Sequence, residues 1–485
     1  MLTKSDFIKH EECPIWLWLY KSRPDLLPKE TPELRRIFAS GNEVDQLSRR
    51  LYPEGIEIEG HFEQGWINTQ TAIKRGAQVM FQPTAMTQDG LLSQADILVK
   101  VPGTDTWNLL EVKSSTRVKE EHLCDVAFQR ICFERAGIKI NKTCHIHINN
   151  QYVREGDVEP EKLFVSEDIT DTVLARQDAT KTQIEEAKKI ISQGRSPDTA
   201  LVQKCLDPEK CEYLSHYIHG FPEIYSLVDS FPDSHIKALL DRGILDYTRL
   251  SQETLDRVGF SAPVFFETIN TEGIKKELDK LVYPLYFFDY ETYSAAIPPF
   301  DGTRPYQQLP FQYSLHIQKE KGGAVEHKEF LARTYTNPMP ALLSQLKQDF
   351  GPQGSVLVWN SKFETARNEE MAQMYPEYQS LLQDINNRMF DLMLLFKFDR
   401  ELYLHSDFHR SASLKKVLPV ICPELNYADL EIKEGGTASA SWPLLTGDTI
   451  AQEEKDTLAN NLLKYCGRDT EAMVGILKHL QEKIK

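Results

Sequence analysis

The sequence predicts an α/β protein of two α/β domains joined by a helical connector, on three observations. Residues 1–155 mix helical and strand patterns and end on the strand-like CHIHINNQYV. Residues 156–280 turn helical and polar, as in ITDTVLARQDATKTQIEEAKKIISQG, with helix–Gly–helix punctuation in SHIKALLDRGILDYTRLSQETLDRVG. From Tyr283 the apolar strand YPLYFFDYE opens a second α/β segment, so residues 281–485 form the last domain.

A length of 485 residues gives room for two or three domains with their own cores. The chain is 41% hydrophobic and 26% charged, ordinary for a globular protein. It has no run of about 18 apolar residues, so no membrane span is expected. The start MLTKSDFIKHEECP lacks the pattern of a secretory signal. A cytoplasmic location is therefore expected, where disulfides would not form among the eight cysteines. A net charge of −16 argues against coating nucleic acid through bulk electrostatics, but not against a local basic groove.

In the first domain, ADILVKVPGTDTWNLLEVKSST places Asp96, Glu111 and Lys113 in two apolar runs around a turn. With Gly103-Thr104 as a two-residue loop, pairing outward sets Asp96 opposite Glu111. Cβ atoms so placed lie about 5 Å apart, and Lys113 shares the face of Glu111. Carboxylates that close repel unless a cation lies between them, and Mg²⁺ or Mn²⁺ would answer that need. A solvated hairpin carrying a stray ion pair fits the same spacing.

In the last domain, Asp289 and Glu291 stand at i and i+2 at the end of an apolar strand, where two acids are costly unless paired or metal-bound. SVLVWNSKFETARNEEMAQM reads as strand, short loop and helix, with Glu364 in the first turn after Asn360. NNLLKYCGRDTEAMVGILKHL reads as an amphipathic helix with Tyr465 and Asp469 one turn apart. GGTASASW reads as a flexible loop.

The order Asp, hairpin, Glu-x-Lys resembles the PD-(D/E)XK nuclease superfamily, and more closely its RecB-like branch. HLCDVAFQRICFERAG, with Asp125, Gln129 and Phe133 at helical spacing, is similar to the Gln-bearing helix of that branch; Phe133 stands where Tyr is common, so Gln129 alone is carried over. RRIFASGNEVDQLSRRLYPEG looks like the branch's first helix, with Val44 at the usual metal-binding His and Glu43 as a substitute. The second constellation resembles the DnaQ-like exonucleases of the ribonuclease H fold, in the subtype ending Tyr-x-x-x-Asp. That resemblance implies metal binding by Asp289, Glu291, Glu364 and Asp469, with Tyr465 positioning the attacking water. Glu364 departs from the usual Asp. Together the halves resemble a bacterial family fusing a RecB-like nuclease domain to a DnaQ-like one, also through LYPEG, EVKSST, DVAFQ, YFFDYET and SLKKVLP.

RecB-type nucleases often hold a 4Fe–4S cluster on four cysteines. Cys13, Cys205 and Cys211 match three of them; Tyr217 stands at the fourth, flanked by His216 and His219, so a His-completed or zinc site is an alternative. Cys124, Cys132 and Cys144 read as core residues. Arg410, Lys415 and Lys416, and Arg117 with Lys119, are basic groups that could meet phosphate, or solvated faces. His405, His409 and Asp391 are open as helpers of the second site. The resemblance implies a Mg²⁺- or Mn²⁺-dependent nuclease whose partner is nucleic acid, DNA before RNA. The alternative is an exonuclease whose N-terminal domain only binds nucleic acid.

Overall fold

This computed structural model describes residues 1–26, 32–193, 197, 267–408 and 411–485. It is mixed α/β with several sheets, and the chain divides into two compact units, residues 1–220 with 295–306 and residues 221–294 with 307–485. Among the described residues no helix is long and apolar enough to cross a membrane.

The first unit opens with β1 (Leu2–Thr3), α1 (Lys4–Glu12) and α2 (Pro14–Ser22). Thr3 and Asp6 close a reciprocal capping box at the start of α1, and Pro14 begins α2 at the position where its missing N–H is harmless. Then come α3 (Pro32–Ser48), β2 (Ile56–Glu57), α4 (Phe62–Lys74), β3 (Val79–Phe81), β4 (Thr84–Met86), β5 (Leu91–Gln94), β6 (Ile97–Lys100) and β7 (Trp107–Val112). The unit continues through α5 (Glu120–Arg135), β8 (Ile140–Ile148), α6 (Pro160–Leu163), β9 (Phe164–Asp168) and α7 (Thr170–Gln193).

Six strands form a mixed sheet in the order β2-β3-β6-β7-β8-β9; β1, β5 and β4 form a small second sheet. The β6–β7 hairpin turns at Pro102-Gly103, not at the expected Gly103-Thr104. Thr104 N–H donates to Val101 O at 3.2 Å, and Gly103 takes φ +72°, the conformation a Pro-Gly turn requires. The expected register survives, because Ile97 pairs with Leu110 one step inside Asp96 and Glu111. Alternation then divides the hairpin. Leu98 and Leu109 pack into the core that holds Phe7, Phe128 and Phe133, whereas Ile97, Leu110 and Val112 pack with Val44 in the other. Asp96 and Glu111 share the parity of Leu98 and Leu109, so they face α1 and α5. Cys132 is a core residue, and Cys124 and Cys144 lie at core margins, as expected.

The second unit begins with β10 (Thr268–Ile269) and α8 (Thr271–Leu278). Its main sheet comprises β11 (Leu285–Tyr293), β12 (Leu309–Gln318), β13 (Val325–Leu331), β14 (Ser355–Val358) and β15 (Met389–Asp391), in the order β13-β12-β11-β14-β15. The first three strands are antiparallel; β14 and β15 run parallel to the central β11. A register shift follows Glu291, at the end of the pairing with β12. The helices are α9 (Met339–Asp349), α10 (Ser361–Met374), α11 (Gln379–Asn387), α12 (Leu414–Ile421), α13 (Gly435–Thr446) and α14 (Gln452–Lys483); β16 (Tyr403–Leu404) pairs with β10.

GGTASASW is not a loop but the start of α13. Its Gly and Ser content disfavours a helix locally, and tertiary packing overrides that preference. Trp442 is fully buried, stacks on Phe311 at 5.4 Å between ring centres, and donates its indole N–H to Ala332 O at 2.9 Å.

Phe128 is fully buried and stacks on Phe7 at 5.0 Å, joining α5 to α1. Phe128→Ala is expected to lower the stability of the first unit by about 3–5 kcal/mol, read as an earlier midpoint in urea unfolding.

Candidate active sites

In the first unit the hairpin and α5 bring the expected residues together. Asp96 accepts the Val112 N–H at 2.7 Å. Glu111, 1% exposed, accepts Lys113 Nζ at 2.6 Å on Oε1 and Gln129 Nε2 at 2.6 Å on Oε2. Gln129 Nε2 also donates to Asp125 at 2.9 Å, and Lys113 reaches Asp125 at 2.7 Å. Gln129 thus lies against Glu111, and Phe133 is plain core.

Lys4 was not foreseen. From the first turn of α1 its Nζ lies 3.1 Å from Glu111 and 3.6 Å from Asp125. Burial pushes Glu111 up, but Lys113 and Lys4 more than reverse this and hold it below the usual carboxylate range. Asp96 lacks so close an ammonium; burial and the charge of Glu111 push it up to about 7. The solvated hairpin is excluded, since Glu111 and Asp125 are buried and fully engaged.

Helix phase corrects the reading of α3. Val44 is buried in the core and Glu43 is exposed, so Glu43 does not stand in for the His. Asp45, one residue on, does turn to the site: Gln82 Nε2 lies 3.4 Å from Asp45 Oδ1 and 3.5 Å from Asp96 Oδ1. Arg49 pairs with Asp45 at 2.6 Å. Behind Lys113, His145 meets His122 at 2.9 Å, and burial pushes His145 down to about 4. Arg117 and Lys119 are exposed. Cys13 is half-buried between α1 and α2. Cys205, Cys211, His216, Tyr217 and His219 lie outside the described residues.

In the second unit Asp289 and Glu291 project from β11 toward α14. Donor atoms of Asp289, Glu291 and Cys466 lie within 4.8 Å of one another. Cys466 Sγ is 3.8 Å from Asp289 Oδ2. Asp469 accepts hydroxyl hydrogen bonds from Tyr427 and Tyr465. Tyr427 was not foreseen; it comes from the segment between α12 and α13. Glu364 is 1% exposed, and its Oε2 has no hydrogen-bond partner among the described residues.

These acids repel one another. Burial, then the charges of Asp469, Glu364 and Glu291, push Asp289 well up. Burial with Asp469 and Glu364 does the same to Glu291, opposed by Lys415. Burial lifts Glu364 to about 8 against its own and the Tyr290 backbone N–H, and lifts Asp469 to about 6 against Tyr427 and Lys415. Lys415 itself is ion-paired to Glu434.

Asp391 serves this site at one remove. Its carboxylate accepts the Ser361 N–H at 2.9 Å and the Asn360 N–H at 3.2 Å, fixing the start of the helix that carries Glu364. Asn360 there takes φ +85°, a conformation in which Asn is one of the better-tolerated non-glycine residues. His405 accepts the Asp407 N–H at 3.1 Å and packs its ring at a tilt against Phe408, so it has a local structural role. Arg410 and His409 lie outside the described residues.

An orphaned buried carboxylate oxygen, three further carboxylates and no Lys or Arg ion pair to any of the four among the described residues fit a hard divalent cation.

Residues 286–413 match a family described as "Domain of unknown function (DUF2779)". That segment holds Asp289, Glu291 and Glu364 and stops before Tyr465 and Asp469. The chain is similar to the uncharacterised protein MG366 of Mycoplasma genitalium, 26% identical over 246 residues, covering 46% of this chain and 36% of that protein. Its homolog in Mycoplasma pneumoniae is 27% identical over 218 residues, covering 42% and 33%. The uncharacterised protein UU173 of Ureaplasma parvum is 26% identical over 212 residues, covering 39% and 30%. The chain thus spans about a third of the length of these curated relatives.

Glu364 rises from an ordinary 4.5 to about 8 and Asp469 from 3.8 to about 6. The metal-free fold therefore holds protons that the unfolded chain releases, so its stability falls as pH rises between about 4 and 8. Thermal unfolding in chelator should show that decline, and Glu364→Gln should flatten it. Added Mn²⁺ should raise the melting temperature more at pH 8 than at pH 5.

Proposed function

We propose that the protein is a Mg²⁺- or Mn²⁺-dependent nuclease that hydrolyses phosphodiester bonds of nucleic acid, DNA before RNA, with its principal site on β11. The observation that carries this reading is the gathering of Asp289, Glu291, Glu364 and Asp469, from three distant stretches of chain, into one buried cluster. A five-stranded mixed sheet with the acidic pair on its central strand supports the DnaQ-like, ribonuclease H-fold assignment. The six-stranded mixed sheet, with Asp96 just before β6, Glu111 on the antiparallel β7, Lys113 just past its end and Gln129 on the next helix, supports a RecB-like PD-(D/E)XK first unit.

Asp289 and Glu291, whose donor atoms lie together with Cys466, would hold the cation with the neighbouring Asp469, and the orphaned oxygen of Glu364 would be the fourth acidic donor. A bound divalent ion supplies an ionised water and offsets charge on the phosphate. Tyr427 and Tyr465 fix the orientation of Asp469, and the Tyr465 hydroxyl also lies close to Glu291. Lys415 pulls Glu291 and Asp469 down and, exchanging its partner Glu434, would meet a phosphate.

One observation favours a binding role for the first unit. Lys4 and Lys113 neutralise Glu111 and Asp125 from within the chain, so that cluster needs less from a metal than the second does. The first site would then grip nucleic acid for the second.

The test is incubation of the full chain with end-labelled single- and double-stranded DNA and RNA in Mn²⁺. Asp289→Ala or Asp469→Ala should lower 3′ trimming by about 100-fold or more. Unchanged trimming in both variants refutes the assignment. Lys113→Ala should leave trimming intact and remove only cutting that belongs to the first unit. Tyr427→Phe should weaken Mn²⁺ binding by about tenfold, as loss of a partner that orients a ligand does.

A further inference from the structure

A thiol stands among the acids of the second unit, and a hard cation such as Mg²⁺ makes no use of it. Cys466 follows Tyr465 on α14 and precedes Asp469 by three residues, so one helix face presents all three. It is fully buried. Its Sγ lies 3.8 Å from Asp289 Oδ2 and 3.8 Å from the Asp289 carbonyl oxygen. A thiol is a weak donor, and at that length it gives either oxygen little. Core packing alone does not call for a thiol that faces two carboxylates.

The distances suit a shared cation better than a hydrogen bond. One donor atom from each of Asp289, Glu291 and Cys466 falls within 4.8 Å of the other two. Zinc binds carboxylate oxygen at about 2.0–2.2 Å and thiolate sulfur at about 2.3 Å, so tetrahedral neighbours stand ~3.5 Å apart. The sulfur and Asp289 Oδ2 are already close to that separation. A second observation is independent of the thiol. The Glu364 carboxylate accepts the Tyr290 N–H, so it rests on β11 between Asp289 and Glu291. Its Oε2 is left without a hydrogen-bond partner among the described residues, on a side chain 1% exposed. A buried carboxylate oxygen so placed is fitted to receive a cation. Asp289 keeps some exposure, which gives an ion a way in.

We infer that Asp289, Glu291 and Cys466 form a seat for a thiophilic divalent cation of the zinc class, which competes with Mg²⁺ or Mn²⁺ for the two shared carboxylates. Mg²⁺ and Mn²⁺ favour oxygen and leave the thiol alone, whereas Zn²⁺ and its mimic Co²⁺ take sulfur. On coordination the S–H bond breaks, its electron pair stays on sulfur to bind the metal, and the proton passes to solvent. Zinc also exceeds manganese in affinity for a given set of donors, and a thiolate widens the gap. Zinc therefore takes the place of the ion that supports hydrolysis. The inference rests on the reading of this group as a cation site; it adds a soft ligand, and with it a competitor for the working ion.

The experiment titrates the full chain, stripped of chelator and metal, with Co²⁺ under ultraviolet and visible absorption. Co²⁺ should produce a sulfur-to-metal charge-transfer band that Cys466→Ser removes, the variant serving as the control for every other cysteine of the chain. The same substitution should lower the ratio of Zn²⁺ to Mn²⁺ affinity by about 100-fold, as much as loss of an outer partner of a ligand can cost. Cys466→Ala repeats both readings without burying a hydroxyl, should the serine variant fail to fold. A third arm needs no substitution: a small excess of Zn²⁺ should release Mn²⁺ from the loaded wild-type chain, read as the return of the free-ion spin-resonance signal. If Mn²⁺ binds but Zn²⁺ does not displace it, or the Co²⁺ band never forms or survives loss of Cys466, the inference is overturned and the nuclease reading stands. If neither Mn²⁺ nor Co²⁺ binds, both fall.

Discussion

Mutual repulsion among buried carboxylates on and around β11 is the constraint on which the second unit depends. Asp289 and Glu291 stand on the central strand of a sheet, where burial alone disfavours their charge, and Glu364 and Asp469 add to the field. Such a set cannot ionise together without a cation. The surrounding structure nevertheless holds the acids in place. Asp391 ties down the helix start before Glu364, two tyrosines hold Asp469, and Gln312 ties β12 to the Leu462 carbonyl of α14 at 2.9 Å. A group of side chains so costly, and so firmly positioned, is what a pre-organised cation site requires.

The first unit meets a similar constraint by other means. Glu111 and Asp125 are as deeply buried, yet two ammonium groups lie against them and a glutamine amide bridges them. Charge is balanced inside the chain, and Glu111 is stabilised as an anion where the acids of β11 are pushed toward protonation. Asp96 and Asp45 remain the under-compensated members of that cluster, both raised by burial. Two sites of similar residue type therefore differ in chemistry through the placement of lysine.

Much of both sites was legible in the sequence because it is written in local periodicity. The Asp96–Glu111 pairing follows from hairpin register, and Asp289 with Glu291 and Tyr465 with Asp469 follow from the periods of a strand and a helix. The turn lies one residue earlier than expected without harm, because the loop is longer than two residues and Val101 still pairs with Thr106. What escaped is long-range or depends on helix phase. Lys4 reaches Glu111 across 107 residues and Tyr427 reaches Asp469 across 42, and no local pattern marks either. Asp45 replaced Glu43 because one step along a helix swings a side chain by about 100°. The start of α13 was read as loop because its composition opposes a helix that only the packing of Trp442 explains.

The measurement that bears most directly on the carboxylate cluster is calorimetric titration of the chelator-treated protein with Mn²⁺ near neutral pH, in two buffers of different ionisation heat. Binding must displace the protons that repulsion and burial hold on these acids, so the observed heat should differ between buffers, and Asp289→Asn should remove the site. An absence of Mn²⁺ binding, or binding unaffected by Asp289→Asn, would contradict the account.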